Sequence, residues 1–176
     1  MLAFLAALLA LAATPLDAQG SAVPNVPAPV EVDGLRVSLV HTADRDAFLN
    51  AWLAGTRELP ITERAVRGRR LAAIVIFQGC RAAANGKCNV TGRFTYLKPD
   101  GSVAGEVEGA LWTEGPLGDS AIPSPSGPDL EIEPHDPMGT WTVRVRVTDT
   151  VRGVSVETEA RVIVDTPPTA PAPTPS

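Results

Sequence analysis

The chain has 176 residues, with 15 Lys and Arg against 20 Asp and Glu, a formal net charge of −5. That balance gives no basic footprint for nucleic acid or for an anionic membrane. With 17 Pro, 15 Gly and only 5% aromatics, it favours many short strands joined by turns over long helices.

Leu2 to Ala13 reads LAFLAALLALAA, an uninterrupted apolar run. About a dozen residues are too few to span a bilayer of ~30 Å as a helix. Pro15 breaks the run, and Leu16-Asp17-Ala18 offers small residues at a cleavage position. Residues 1–18 are therefore predicted to be a secretory signal peptide, cut after Ala18. No Lys or Arg precedes the run, so either the start lies upstream or the α-amino group supplies the charge. No Cys follows it to carry a lipid, and no later run reaches membrane length. The expected product is periplasmic or secreted, with no membrane insertion after cleavage. Residues 19–29 (QGSAVPNVPAP) read as a Pro-rich linker, and 166–176 (TPPTAPAPTPS) as a disordered Pro-rich tail. The interval 30–165 is left as the folded domain, large enough at roughly 130 residues to hold its own core.

Within it the dominant period is two. Val30 and Val32, then Leu35, Val37 and Leu39, alternate about an Asp33-Gly34 turn. Ala43 to Ala54 is the one helical stretch. Thr42 can cap it, Asp44 and Asp46 suit its first turn, and Leu49, Trp52 and Leu53 share a face near Phe48. Leu71 to Gln78 (LAAIVIFQ) is apolar on both faces. Cys88 to Lys98 alternates, and Pro99-Asp100-Gly101-Ser102 is a turn, since proline presets φ and glycine accepts positive φ. Val103 to Thr113 forms a strand, Glu114 to Gly127 a loop, and Asp129 to Glu133 a short strand. The last two strands specify each other. Pairing Val147 with Val156 sets Arg144 opposite Glu159 and Arg146 opposite Glu157, while Trp141, Val143, Val145 and Val147 share the apolar face. These elements predict a mainly β fold, an antiparallel two-sheet sandwich of about seven strands with one short N-terminal helix. A small closed barrel is the other arrangement such strands can form.

Cys80 and Cys88 are the only cysteines, and an even count in an exported chain reads as a disulfide. Closing so short a loop contributes about 2.5 kcal/mol in the chain-entropy model. The pair is predicted to bridge a hairpin whose loop takes positive φ at Asn85 or Gly86. In that register Ile74 and Ala72 face inward with Phe94 and Tyr96, while Val75 and Phe77 fall on the outer face. Something must cover them. The helix is expected to dock there and bury Trp52; otherwise Val75 and Phe77 form a partner surface.

The stretch from Leu71 through Val164 resembles immunoglobulin-like or macroglobulin-type β-sandwich modules of bacterial secreted proteins. FTYLKPDGSV and PMGTWTVRVRVTD carry the resemblance. It implies a non-enzymatic module and names no ligand.

Candidate chemistry is sparse. His41 and His135 lack the close spacing of zinc ligands. Asp129, Glu131, Glu133 and Asp136 lie around Pro134-His135, but Asp129, Glu131 and Glu133 alternate along a strand and stand in a row, as on a solvated face, rather than converging on a cation. No Gly-X-Ser-X-Gly elbow is present, and Glu106 and Glu108 alternate on one face. The chain is thus read as a soluble accessory or protein-binding module with no catalytic residues, metal or cofactor. Its expected partner is another envelope or extracellular protein. A carbohydrate-binding module is the alternative, with Trp112 as the stacking candidate, and an unrecognised hydrolase the third. The candidate binding surface is Val75, Phe77 and Trp112.

Overall fold

The computed structural model describes residues 25–165. The predicted signal peptide 1–18, residues 19–24 and the tail 166–176 lie outside the described residues. In chain order the elements are β1 (Val30–Val32), β2 (Leu35–Thr42), α1 (Arg45–Leu53), β3 (Arg64–Val66), β4 (Arg70–Gln78), β5 (Val90–Leu97), β6 (Val103–Trp112), β7 (Ile122–Pro123), β8 (Asp129–Glu131), β9 (Gly139–Asp149) and β10 (Val154–Asp165).

Two five-stranded sheets face each other across one core. The first runs β1-β2-β4, with β7 and β8 both on the far side of β4; the second runs β3-β10-β9-β5-β6. The expected two-sheet, mainly β fold is present, but ten strands are described rather than about seven. One pair, β3 with β10, is parallel rather than antiparallel. The added pieces β3 and β7 are two or three residues long, too short for a periodic signal. β7 and β8 are fragments of one broken edge. Pro123, Pro125 and Pro128 cannot donate to a ladder, so this segment can only lie outermost. Ser124 spans the gap, its N–H donating to the Val75 carbonyl at 2.7 Å and its Oγ accepting from Val75 N at 3.2 Å.

The hairpins follow their local sequences. Asp33 (φ 47°) and Gly34 (φ 79°) turn β1 into β2, both at positive φ, as a two-residue hairpin turn of this hand requires. β9 and β10 pair in the predicted register, Val147 with Val156, Arg146 with Glu157 and Arg144 with Glu159. The Arg146 Nε donates to Glu157 at 2.6 Å and Arg144 Nη2 to Glu159 at 3.2 Å, both exposed. Trp141, Val143, Val145 and Val147 are all buried between the sheets.

The largest correction concerns β4. Cys80 and Cys88 are bridged, with Cα atoms 6.0 Å apart. The bridge closes a crossover, however, not a hairpin. β4 pairs with β2 in the first sheet, and β5 pairs with β6 and β9 in the second. A chain stepping between facing sheets keeps no cross-strand register, so counting outward from the cysteines inverts the faces of β4. Val75 and Phe77 lie between the sheets, at 0% and 1% exposure, and form no surface. Ala72, Ile74 and Ile76 make the outer face instead. The helix still docks where expected. Phe48 and Trp52, ring centroids 6.2 Å apart, pack with Val40, Ile74, Ile76 and Leu59 in a second cluster. A strand apolar on both sides thus has two covers, a sheet and a helix.

Two boundaries also move. Asp44, not Thr42, caps α1: its Oδ1 accepts from Ala47 N at 2.9 Å, while Thr42 Oγ1 accepts from Asp44 N. Part of the expected linker is tied to the domain: Val26 is buried in the second cluster, Asn25 donates to Leu59 O and Pro27 accepts from Ser38 Oγ, while Asn25, Pro27 and Ala28 stay exposed.

At the crossover end a carboxylate is fully buried. Asp149 accepts from Arg81 N at 2.8 Å, from Val151 N at 3.0 Å and from Arg152 Nε at 3.0 Å. The Arg152 guanidinium continues to the carbonyls of Asp33 and Gly79, each at 2.7 Å.

The face assignment of β9 is tested by chemical denaturation. Trp141→Ala removes a buried ring and should cost about 3–5 kcal/mol. Arg144→Ala should cost about 1 kcal/mol or less, since exposed pairs contribute little. Equal losses would refute the assignment.

Candidate functional site: an open strand edge beside an acidic cleft

The sandwich is closed along one side, where β1 and β2 pass against β10. The other side is open. There the second sheet ends in β6 and the first in the broken edge of β7 and β8. Among the described residues no strand pairs with the outer side of β6. At its C-terminal end Ser126 Oγ donates to the Ala110 carbonyl at 3.1 Å.

Two bulges shape β6. Pairing with β5 skips Ala104 and Leu111, so side-chain parity breaks at both. At Leu111 the extra residue folds inward over Gly92, where an added Cβ would lie 2.8 Å from Leu111 Cδ1. This alters the placement of Trp112. The sequence puts it on the exposed face with Glu106 and Glu108; the bulge leaves it half-buried, packed against the core, its Nε1 donating to Gly115 O at 3.1 Å. Between the bulges Val107 sits opposite Phe94 on the cleft side yet is 46% exposed, since nothing from the first sheet covers it. Gly105 and Gly109 flank it, and a Cβ built on either meets nothing within 4 Å.

Between β6 and β8 lies a cleft of about 400 Å³. Tyr96, Leu130, Trp141 and Gly105 form its walls, and Asp129, Glu131, Glu133 and Asp136 line it against Lys98 and His135. Arg45 holds Asp129 at 3.2 Å, Arg70 holds Glu131 at 3.3 Å and His135 Nε2 meets Glu133 at 3.0 Å. Asp136 accepts from Glu133 N at 2.9 Å. Tyr96 is almost fully buried, and its hydroxyl has no hydrogen-bond partner among the described residues. Burial, reinforced by the Asp129 charge and opposed by Arg45, pushes the phenol up from its usual value, so it stays protonated.

The remaining candidates are dispersed. Glu106 and Glu108 stand in a row on the outer face, where Arg93 takes Glu106 at 2.6 Å. His135 lies on the rim of the cleft. His41 lies on β2 beside a separate cavity lined by Thr62, Glu63 and Glu159, and its Nε2 has no partner among the described residues. Among the described residues no group of three or more His, Cys, Asp and Glu is arranged to hold a metal ion. Sequence reasoning missed the cleft, because its two walls come from strands of different sheets. It also missed Asp149, which reads as an ordinary turn residue before Gly153.

No protein-family model matches the chain, and no curated protein matches it in sequence. Solved structures are similar in fold only. A family 123 glycoside hydrolase from Clostridium perfringens is 14% identical at a TM-score of 0.44, over 76% of this chain and 27% of that one. The sporulation control protein Spo0M from Bacillus subtilis is 10% identical at 0.40, over 76% of this chain and 50% of that one. An immunoglobulin-like protein from Pseudomonas aeruginosa is 17% identical at 0.35, over 79% of this chain and all of that one. The chain spans about a quarter of the first and half of the second, and none of the three bears on activity.

His41 gives the fold a specific acid sensitivity. Burial lowers its imidazole from 6.5 to about 4. Between these values the unfolded chain binds a proton that the folded chain refuses, so stability falls as pH drops through that window, by ~3 kcal/mol at most for this group. Urea denaturation at pH 7 and pH 4.5 should show a smaller drop for His41→Leu than for the parent. Equal drops would assign the acid sensitivity to other groups.

Proposed function

We propose that the protein is an exported, non-enzymatic β-sandwich module that binds another envelope or extracellular protein by accepting an extended segment on the edge of β6. The observation that carries this reading is the edge itself. β6 is ten residues long, contains neither Lys nor Pro and leaves Val107 exposed beside it. Natural sheet edges are normally shortened, charged or covered, because a free row of N–H and C=O groups templates further pairing. β6 carries two such devices, Glu106 and Glu108 on its outer face and a bulge at each end, but the stretch between the bulges stays uncovered among the described residues and suits strand addition, in which main-chain hydrogen bonds give affinity and flanking side chains give choice of partner.

Export is supported by the apolar segment at Leu2–Ala13 and by the Cys80–Cys88 bridge, which belongs to an oxidising compartment. Among the described residues no helix is long and apolar enough to cross a membrane. Sugar binding through Trp112 has less behind it, since the ring is half-buried and its N–H is already engaged. Hydrolysis has less again, since the two histidines line separate cavities.

Site-directed photo-crosslinking in the native cell envelope tests the reading. A crosslinking residue at Val107 or Gly109 should capture a discrete partner, whereas one at Glu157 on the outer face of β10 should not. Val107→Asp should abolish capture from position 109 without lowering the melting temperature. Equal capture from Glu157, or none from β6, would overturn it.

A further inference from the structure

We propose that the cleft between β6 and β8 receives the side chain of a basic residue, arginine or lysine, projected by the segment that pairs with β6. The inference rests on the strand-addition reading and adds the chemistry of the partner. Side chains on a strand alternate between faces, and cross-strand neighbours share one. A residue of the added segment opposite Gly105 therefore points from β6 into the cleft. Gly105 itself leaves that level empty, with nothing within 4 Å of an added Cβ.

The lining suits a long cationic side chain. Tyr96, Leu130 and Trp141 offer apolar wall for a methylene stem, and the carboxylates stand around it to meet the head. Four carboxylates line the cleft with Lys98 and His135; Asp129 and Glu131 have arginine partners reaching in from outside, Glu133 meets His135, and Asp136 accepts only from a backbone N–H among the described residues. An independent mark of a missing ligand is the Tyr96 hydroxyl. It is buried and unpartnered among the described residues, although buried polar groups are nearly always satisfied. As a neutral phenol it can accept from a guanidinium or ammonium group that already faces Asp129. On the outer face Glu106 and Glu108 flank the edge, both beside Arg93, so the alternate residues of the segment also meet carboxylates. A second copy of this chain fits poorly. Antiparallel self-pairing of β6 about Val107 would set Glu106 against Glu108, and like charges directly opposed destabilise a sheet.

The test uses the purified chain and three fluorescent nonapeptides of alternating Thr and Val that differ only at the central residue, Arg, Ala or Glu. Fluorescence polarisation should show the Arg peptide binding about tenfold or more tighter than the Ala peptide, and the Glu peptide weakest. Gly105→Leu fills the cleft with no backbone clash. It should bring the Arg peptide to the level of the Ala peptide while leaving the Ala peptide unchanged. Glu131→Gln with Glu133→Gln should narrow the Arg preference without touching β6. Equal binding of all three peptides overturns the basic pocket and leaves strand addition standing. No binding of any of them overturns both.

Discussion

The carboxylate of Asp149 is buried where the chain passes from one sheet to the other, and a buried charge is tolerated only when its hydrogen-bonding capacity is filled. Arg81 N, from the crossover after β4, and the Arg152 side chain, from the β9–β10 turn, both serve it. Arg152 then reaches the β1–β2 turn and the end of β4. Three separate chain segments, the β1–β2 turn, the crossover at Gly79–Arg81 and the β9–β10 turn, meet at one ion pair. They meet closely: Gly79 takes φ 84°, and a Cβ there would lie 2.1 Å from the Gly34 carbonyl oxygen. Only glycine permits that approach. The Cys80–Cys88 bridge stiffens the same crossover, so this end of the sandwich is fixed by covalent and ionic ties together.

The opposite consequence appears along the open side. β4 is central to the first sheet and buried on both faces, so α1 and the second sheet must both be spent on covering it. Beyond β4 only proline-broken fragments remain, and they do not reach over the full length of β6. The cleft, the exposed Val107 and the free edge follow from that shortfall. A sheet that ends early on one side leaves its partner sheet overhanging, and the overhang is where the molecule can take up another chain.

What was legible in the sequence was local. The β9–β10 hairpin could be read because one register satisfies two faces at once, apolar pairs inside and Arg–Glu pairs outside. The Asp33-Gly34 and Pro99-Asp100-Gly101-Ser102 turns could be read because they need positive φ at particular positions, met at Gly34 and Gly101. β4 could not be oriented. Its residues are apolar on both faces, so the pattern carries no parity, and the disulfide that seemed to supply one joins different sheets. Counting from that bridge puts Val75 and Phe77 on the wrong face, whereas the need for a helix over the outer face follows from the doubly apolar pattern itself. Trp112 was misplaced because one inserted residue, Leu111, shifts parity, and the glycine that makes room for it lies on another strand. Of the cleft, the acidic residues were visible as a row. That Tyr96 faces them from the other sheet was not.

The Asp149–Arg152 tie holds the two sheets in their relative position. Urea denaturation of Asp149→Asn tests it most directly. The substitution keeps the shape but leaves Arg152 as a largely buried, unpaired cation, and the expected loss is about 3–5 kcal/mol. Arg152→Met added to it should recover part of that loss, because the unpaired charge is then gone. A loss of about 1 kcal/mol or less for Asp149→Asn, the size expected of an exposed surface pair, would contradict the account.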